Sequence, residues 1–465
     1  MTRPAYLASI TGRSAPPLDL LTALLRFNRD HQEEFRRQSR DPVGQAGLSR
    51  AREYVASRLE HTDTFERIEV DPLVGWVGES AELSDVMAAR ALAEALDVVV
   101  GRELADQYAD RGPHDLEVDE VFPRYAEPIF DLVGRSNITS HPDLHGAVAP
   151  VRADRRRVLA TREPDRLSHV ALVPPLAGFR VRYEPCPPVL VRLVDGITLT
   201  GLFPHGRLEE LQWAQEQIEG QSYFHSVRPR NATTEADEAL LTAAADVGAS
   251  IAVFPELSGT ESDVLARIQQ AHALSLGLTV AGSYHRPDEQ GTSTYVNEAL
   301  TRLRGTDTYR HHKFNPFVHP LLGTELLAYR RQVTLIASAG WTVATLICKD
   351  LIEPSVVGIL ERLGVSLVLV TSFSDRTQEL ESQARHMATT AQTMVVIVNA
   401  STEHADAFCA SMILAVPDRR RIVQRLGRSG VRFPAVGRMQ FEPARSRIPP
   451  DWQRIERPPA DSADG

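Results

Sequence analysis

The chain changes its hydrophobic rhythm once. Up to about residue 110 apolar side chains recur at helical spacing, over 17–39 (PLDLLTALLRFNRDHQEEFRRQS), over 48–60 (LSRAREYVASRLE) and from Ala81 to about Asp110, so this region is expected to be mostly helical. From 111 to 167 prolines, acids and arginines mix without a period, which predicts loops with short elements. At His169 the run HVALVPPL opens a series of short apolar strands alternating with helices, the pattern of an α/β fold.

Four helix-to-strand units follow. Thr234 caps a helix with acids in its first turn and a stop at Gly248, and SIAVF comes next. A helix from about Ser262 to Leu276 ends at Gly277 before LTVAGSYH; Pro354 to Leu363 precedes VSLVLVTSF, and Thr377 to Thr393 precedes MVVIVNA. TYVNEALTRLR and the segment after Thr308, joined by Gly305-Thr306-Asp307, suit a hairpin. The expected organisation is a mostly helical region over 1–167, an α/β domain over 168–435 and a loosely held Pro- and charge-rich tail over 436–465.

Composition narrows the function. A net charge of −10 provides no general attraction for nucleic acid or anionic membrane, so neither is expected as a partner. Cys186, Cys348 and Cys409 lie far apart with no CxxC spacing, which argues against disulfides and structural zinc and fits a reducing cytoplasm. The N-terminus lacks the features of a signal peptide, and no run of eighteen apolar residues occurs. Of 51 basic residues just two are lysine, Lys313 and Lys349. Arginine replaces lysine freely as surface charge but not where a compact ammonium is needed, so the two survivors are suspected of chemistry.

Three positions stand out. Glu256, in SIAVFPEL, follows an apolar strand and a proline, where α/β active sites form. Cys348 ends the strand WTVATLIC ahead of the helix beginning near Pro354, a turn that exposes a nucleophile beside backbone N–H donors. Lys313 follows the hairpin in TYRHHKFNPF; the adjacent His311 and His312 point apart on a strand and make a poor metal site. Taken singly, each has an ordinary reading as a loop acid, a buried small hydrophobe or a surface charge.

Together, in this order and context, they resemble the three motifs of the nitrilase superfamily of carbon–nitrogen hydrolases. Phe254-Pro255-Glu256 is similar to the family's FPE motif, Lys313-Phe314-Asn315-Pro316-Phe317 to its lysine motif, and Leu346-Ile347-Cys348-Lys349-Asp350 to its nucleophile motif. The resemblance covers about residues 168–430, including Asn297 in the hairpin and AFCASMILAVP. Two departures stand: aligning Tyr309-Arg310 on the family's Tyr-Arg-Lys places His311 rather than Lys313 at the catalytic position, and the aromatic usual after the cysteine is Lys349.

The resemblance implies a four-layer αββα sandwich, self-association, and amide or nitrile cleavage without metal or organic cofactor. Glu256 is the implied base, Cys348 the nucleophile, Lys313 the oxyanion stabiliser and Glu325 a second glutamate. An amidase is favoured over a true nitrilase. Cys348 is then expected to sit in an open pocket and react rapidly with electrophiles, and Lys313→Arg to abolish turnover with little loss of stability. The rival is a nitrilase-like module that binds or senses a ligand without turnover, with residues 1–167 engaging a protein partner.

Overall fold

The computed structural model describes residues 4–10, 14–60, 67–80, 82–123, 167, 169–186, 197–205, 210–231, 233–289, 294–319, 322–338, 341–391, 393–400, 409–416, 423–427, 433–441 and 451–454. The chain divides into two compact units; of the described residues, those within 4–123, 167–177 and 362–364 form one, and those within 178–361 and 365–454 the other. No described helix is long and apolar enough to cross a membrane.

The first unit is built on α1 (Pro17–Asp30), α2 (Gln32–Gln38), α3 (Pro42–Leu59), α4 (Val70–Ser80) and α5 (Asp85–Ala109). Pro17 opens α1 at its first turn, where a missing N–H costs nothing, and Asp41 caps α3 by accepting from the Val43 and Gly44 amides. Leu20, Leu21, Leu24 and Leu25 of α1, Val55 and Leu59 of α3, and Leu92 and Leu96 of α5 close one apolar core. Short strands complete the unit: β1 (Ser14–Ala15) pairs with β2 (Ile68–Glu69), β3 spans His114–Asp115, and β4 (Val121–Pro123) pairs with β5 (Val170–Leu172).

The strand expected at His169 therefore exists, yet it does not open the second unit. Val170 and Leu172 are buried in the first core, and their strand pairs backwards with Val121–Pro123. The rest of the segment expected to be loop, 124–166, lies outside the described residues.

The second unit is mixed α/β. Its strands are β6 (Arg180–Pro185), β7 (Ile197–Phe203), β8 (Leu211–Ile218), β9 (Gln221–Pro229), β10 (Ile251–Val253), β11 (Leu278–Pro287), β12 (Tyr295–Leu303), β13 (Thr308–His312), β14 (Val318–His319), β15 (Gly323–Glu325), β16 (Gln332–Ser338) and β17 (Trp341–Ile347). They continue with β18 (Leu367–Phe373), β19 (Met394–Ala400), β20 (Ala410–Ala415), β21 (Val423–Gly427), β22 (Ala435–Phe441) and β23 (Asp451–Arg454). One sheet runs β13-β12-β11-β10-β7-β22-β23, another β21-β20-β19-β18-β17-β16-β6, and a small third sheet β14-β15-β9-β8.

The two large sheets share a core: Leu199, Val253 and Val280 of the first pack with Val343, Leu369 and Val396 of the second. On the first sheet's other face α6 (Thr234–Asp246) and α7 (Glu261–Ala273) bury Leu240, Leu241 and Ala271 against Leu202, Ala252 and Phe254. Strands buried on both faces read as unbroken apolar runs, as VSLVLVTSF and MVVIVNA do. The helix α6 begins at Thr234 itself, capped by position Thr233, whose hydroxyl turns to Asp237 at 2.9 Å. The helices α8 (Pro354–Leu363) and α9 (Gln378–Thr390) follow β17 and β18.

The tail expected from residue 436 starts too early. Residues 435–441 form β22 beside the central β7, with Val436 and Met439 buried, and Asp451–Arg454 adds β23 at its side. Gly437 and Arg438 hid this strand by breaking its apolar run. Residues 442–450 and 455–465 of the expected tail lie outside the described residues.

Candidate active site

The chemistry gathers where β10 and β17 end. After β10 the chain passes through Phe254-Pro255 to Glu256, and Leu257 then adopts a positive φ of 56°, a conformation uncommon outside glycine. The turn is held from behind by Arg267 of α7, which is fully buried: it donates to Ser258 Oγ and O at 2.8 Å, to Ala281 O at 3.0 Å and to Asp237 at 2.8 Å, and its guanidinium lies 4.1 Å from the Phe254 ring centroid. Gly282 permits the close approach; a Cβ there, at φ +84°, would lie 2.2 Å from Ser258 Oγ and 2.8 Å from Pro255 O.

The Glu256 carboxylate, withdrawn from solvent, accepts from Lys313 Nζ at 2.7 Å and Asn297 Nδ2 at 3.0 Å through Oε1, and from the Phe373 amide at 2.9 Å through Oε2. Lys313 also donates to Glu325 Oε2 at 2.6 Å. Glu325 in turn accepts from Asn297 at 2.9 Å, His285 Nε2 at 2.9 Å and the Phe317 amide at 2.9 Å. Asn297 thus ties the two carboxylates together from one side while Lys313 bridges them from the other.

Cys348 begins a 3₁₀ turn directly after β17 and adopts φ +48°, a strained conformation of the kind that persists at functional sites. Asp350 fixes the turn by accepting from the amides of Ile347 at 3.3 Å, Phe314 at 3.3 Å and Asn315 at 3.0 Å, and His311 Nε2 meets it at 3.0 Å. The two candidates for the lysine position are thereby separated: Lys313 joins Glu256 and Glu325, whereas His311 joins Asp350. Among the described residues no three His, Cys, Asp or Glu side chains cluster as metal ligands would.

The electrostatics are those of a buried triad with a net negative tendency. Burial raises the Glu256 pKa, and the Glu325 charge adds to this against the pull of Lys313. Burial opposes the charges of Glu325 and Lys313 too, but mutual attraction outweighs it: Glu325, next to Lys313 and His285, is held far below the usual carboxylate range, and Lys313 is held well above the usual ammonium value. Burial and the Glu256 carboxylate push the Cys348 thiol up to about 12, against Lys313, the Ser372 hydroxyl and the Phe373 amide. In the resting site the sulfur keeps its proton. The expected open pocket is not what the structure has: Cys348 is 2% exposed, more buried than Cys186 at 7% or Cys409 at 9%.

A wall of aromatic and apolar groups adjoins the triad. Phe317 and Trp213 pack against Phe224, Leu257 and Phe373, with Phe224 and Trp213 supplied by the β8–β9 hairpin. Lys313 Nζ lies 5.9 Å and Lys349 Nζ 5.7 Å from the centroid of the Phe317 ring.

Solved structures match this chain over about half of its length. It is similar to enzymes of the nitrilase superfamily. An amidase from Nesterenkonia sp. matches at 17% identity and a TM-score of 0.35, covering 48% of this chain and 83% of its own. The CN-hydrolase superfamily protein XC1258 from Xanthomonas campestris, described with an arsenic adduct in its active site, matches at 14% identity and a TM-score of 0.37, over 53% of this chain and 91% of its own. Saccharomyces cerevisiae Nit3, of branch 10 of the superfamily, matches at 14% identity and a TM-score of 0.37, over 54% and 91%. No protein-family model matches the chain, and no curated protein does.

Sequence reasoning placed Glu256, Lys313, Glu325 and Cys348 as candidates, and the fold brings Glu256, Lys313 and Glu325 into direct contact beside Cys348. It missed His285, Arg267 and the Phe373 amide. His285 and the Phe373 amide carry no local signal and reach the site through strand pairing, whereas the buried Arg267 of α7 is marked by its apolar neighbours Val264 and Ile268.

Proposed function

We propose that the second unit is a carbon–nitrogen hydrolase, acting on amides in preference to nitriles, with the four-layer αββα arrangement and the self-association its motifs imply. The observation that carries this reading is the Lys313 ammonium wedged between two buried carboxylates, 2.7 Å from Glu256 and 2.6 Å from Glu325, beside a protonated thiol.

Each group has one task under this reading. Glu256, its basicity raised by burial, takes the Cys348 proton as sulfur attacks the amide carbon, so the thiolate never stands free in the resting site. The tetrahedral oxyanion is met by Lys313 and by backbone N–H at the turn, donors of a type commonly worth about 3–4 kcal/mol each. Glu256 passes its proton to the departing amine, and the C–N bond breaks to leave an acyl-enzyme. It then accepts a proton from water, which attacks the thioester and releases the acid with the thiol restored. Glu325, kept ionised, holds Lys313 charged and in place, and Asn297 and His285 hold Glu325.

Ammonia release from a panel of small amides by the intact protein tests the reading, with Cys348→Ala as the control. Amide turnover that vanishes in Cys348→Ala supports it. Ligand binding without turnover for any amide or nitrile supports instead a module that senses its ligand, a role with which a sulfur this deeply buried is compatible.

A further inference from the structure

Amide hydrolysis by Glu256, Lys313 and Cys348 leaves the Lys349 ammonium unused. It follows the nucleophile directly, is half-buried, and lies over the same Phe317 ring as the Lys313 ammonium. Its acidic neighbours are otherwise engaged: Asp350 with His311 at 3.0 Å and Glu353 with Arg331 at 3.8 Å. Among the described residues no carboxylate forms an ion pair with it.

A half-buried cation without a counter-ion costs desolvation that contact with an aromatic face offsets in part. In a chain that uses arginine for 49 of its 51 basic residues, keeping such a group next to the nucleophile calls for a partner that arrives from outside. That partner must be negatively charged, and it must lie along the Phe317 wall while the amide carbon meets Cys348.

Resting on the amide-hydrolase reading, we propose that Lys349 binds a carboxylate of the substrate, so that the site selects small amides bearing a free carboxylate a few bonds from the scissile carbon. A compact ammonium suits a single small carboxylate entering beside bulky aromatic groups. The remaining neutral wall of Phe317 and Trp213, both partly exposed, then packs on the methylene chain between the two ends.

The test compares succinic acid monoamide with its methyl ester, which has the same length but no charge, on the full-length protein. The wild type is expected to favour the acid over the ester in kcat/KM by about 10- to 100-fold, the effect of one charge-assisted contact. In Lys349→Gln that ratio should collapse towards one, with the change carried mainly by KM, and Lys349→Arg should restore part of it. Binding of the same pair to Cys348→Ala, followed by calorimetry, gives a readout that needs no turnover. Binding that favours the acid and loses this preference in Cys348→Ala/Lys349→Gln keeps the anion site even if no amide is hydrolysed, in which case the hydrolase reading fails alone. Turnover with no preference for the acid, or a ratio untouched by Lys349→Gln, overturns the inference and leaves the hydrolase reading standing.

Discussion

Lys313 Nζ donates to Glu256 Oε1 at 2.7 Å, with both side chains sealed from solvent. An arginine in place of Lys313 keeps the charge but brings a planar fork into a space fitted to one ammonium between two carboxylates. Turnover is expected to fall by at least about two orders of magnitude, the cost of losing a positioned oxyanion donor. The burial also revises the expectation of unchanged stability. Lys313→Met, which strands two acids, is expected to cost about 3–5 kcal/mol, and Lys313→Arg a smaller but measurable part of that. Urea denaturation of both variants checks the order; a Lys313→Arg protein as stable and active as the parent contradicts it.

The acid limb of kcat/KM should report Glu256. This carboxylate must be ionised to take the thiol proton, so activity rises as pH passes its pKa, which burial and the Glu325 charge place above the ordinary value of about 4.3. Glu325→Gln removes one of the two raising influences, so the limb of the residual activity should move to lower pH. A pH profile in which it stays put or moves up shows that the base lies elsewhere.

Cys348 should alkylate slowly in the resting protein at neutral pH. With its thiol pushed up to about 12, a reagent that reads thiolate, such as methyl methanethiosulfonate, should react roughly tenfold faster for each unit of pH between about 7 and 10. This reverses the rapid labelling expected from the sequence. Rate constants resolved by peptide mapping decide the matter; fast, pH-independent labelling of Cys348 would show that its proton is already lost.

Gly282→Ala should act on Glu256 from a distance. The added methyl meets Ser258 Oγ and Pro255 O at an unfavourable φ, so the Glu256 turn must shift. A shift of this kind lowers kcat by about 10- to 100-fold, since small misplacements of a reacting group carry that penalty. Melting temperature and kcat measured together distinguish this from simple unfolding. Full activity in a folded Gly282→Ala protein contradicts the close packing of Gly282 against the Glu256 turn.

The parts of this site that were legible in the sequence are those announced by strand ends. Glu256 after SIAVF and Cys348 after WTVATLI lie on elements whose apolar runs are unmistakable, and the scarcity of lysine singled out Lys313. The partners that set their ionisation were not legible. Asn297 and Glu298 are neighbours on β12, and nothing local says that Asn297 joins Glu256 to Glu325 while Glu298 pairs with Arg286 and His312. That division follows from the alternation of faces along a strand once its register is known. Burial of Cys348 was misjudged for the same reason: the groups around it come from β12 and β18, apart from the cysteine in sequence and brought to it only by the fold. The second unit was expected to begin too early because the Val170–Leu172 strand shows only its apolar run in the sequence, not the Val121–Pro123 strand that claims it.

Whether Cys348 carries the acyl group of an amide between two chemical steps is decided by rapid acid quenching of the protein during turnover, followed by intact-mass measurement and peptide mapping. Under the acyl-enzyme mechanism the protein gains the mass of the acyl group minus one hydrogen, the modified peptide contains Cys348, and Cys348→Ala gains nothing. Ammonia release that persists in Cys348→Ala, or an acyl group mapped to Cys186 or Cys409, would refute it.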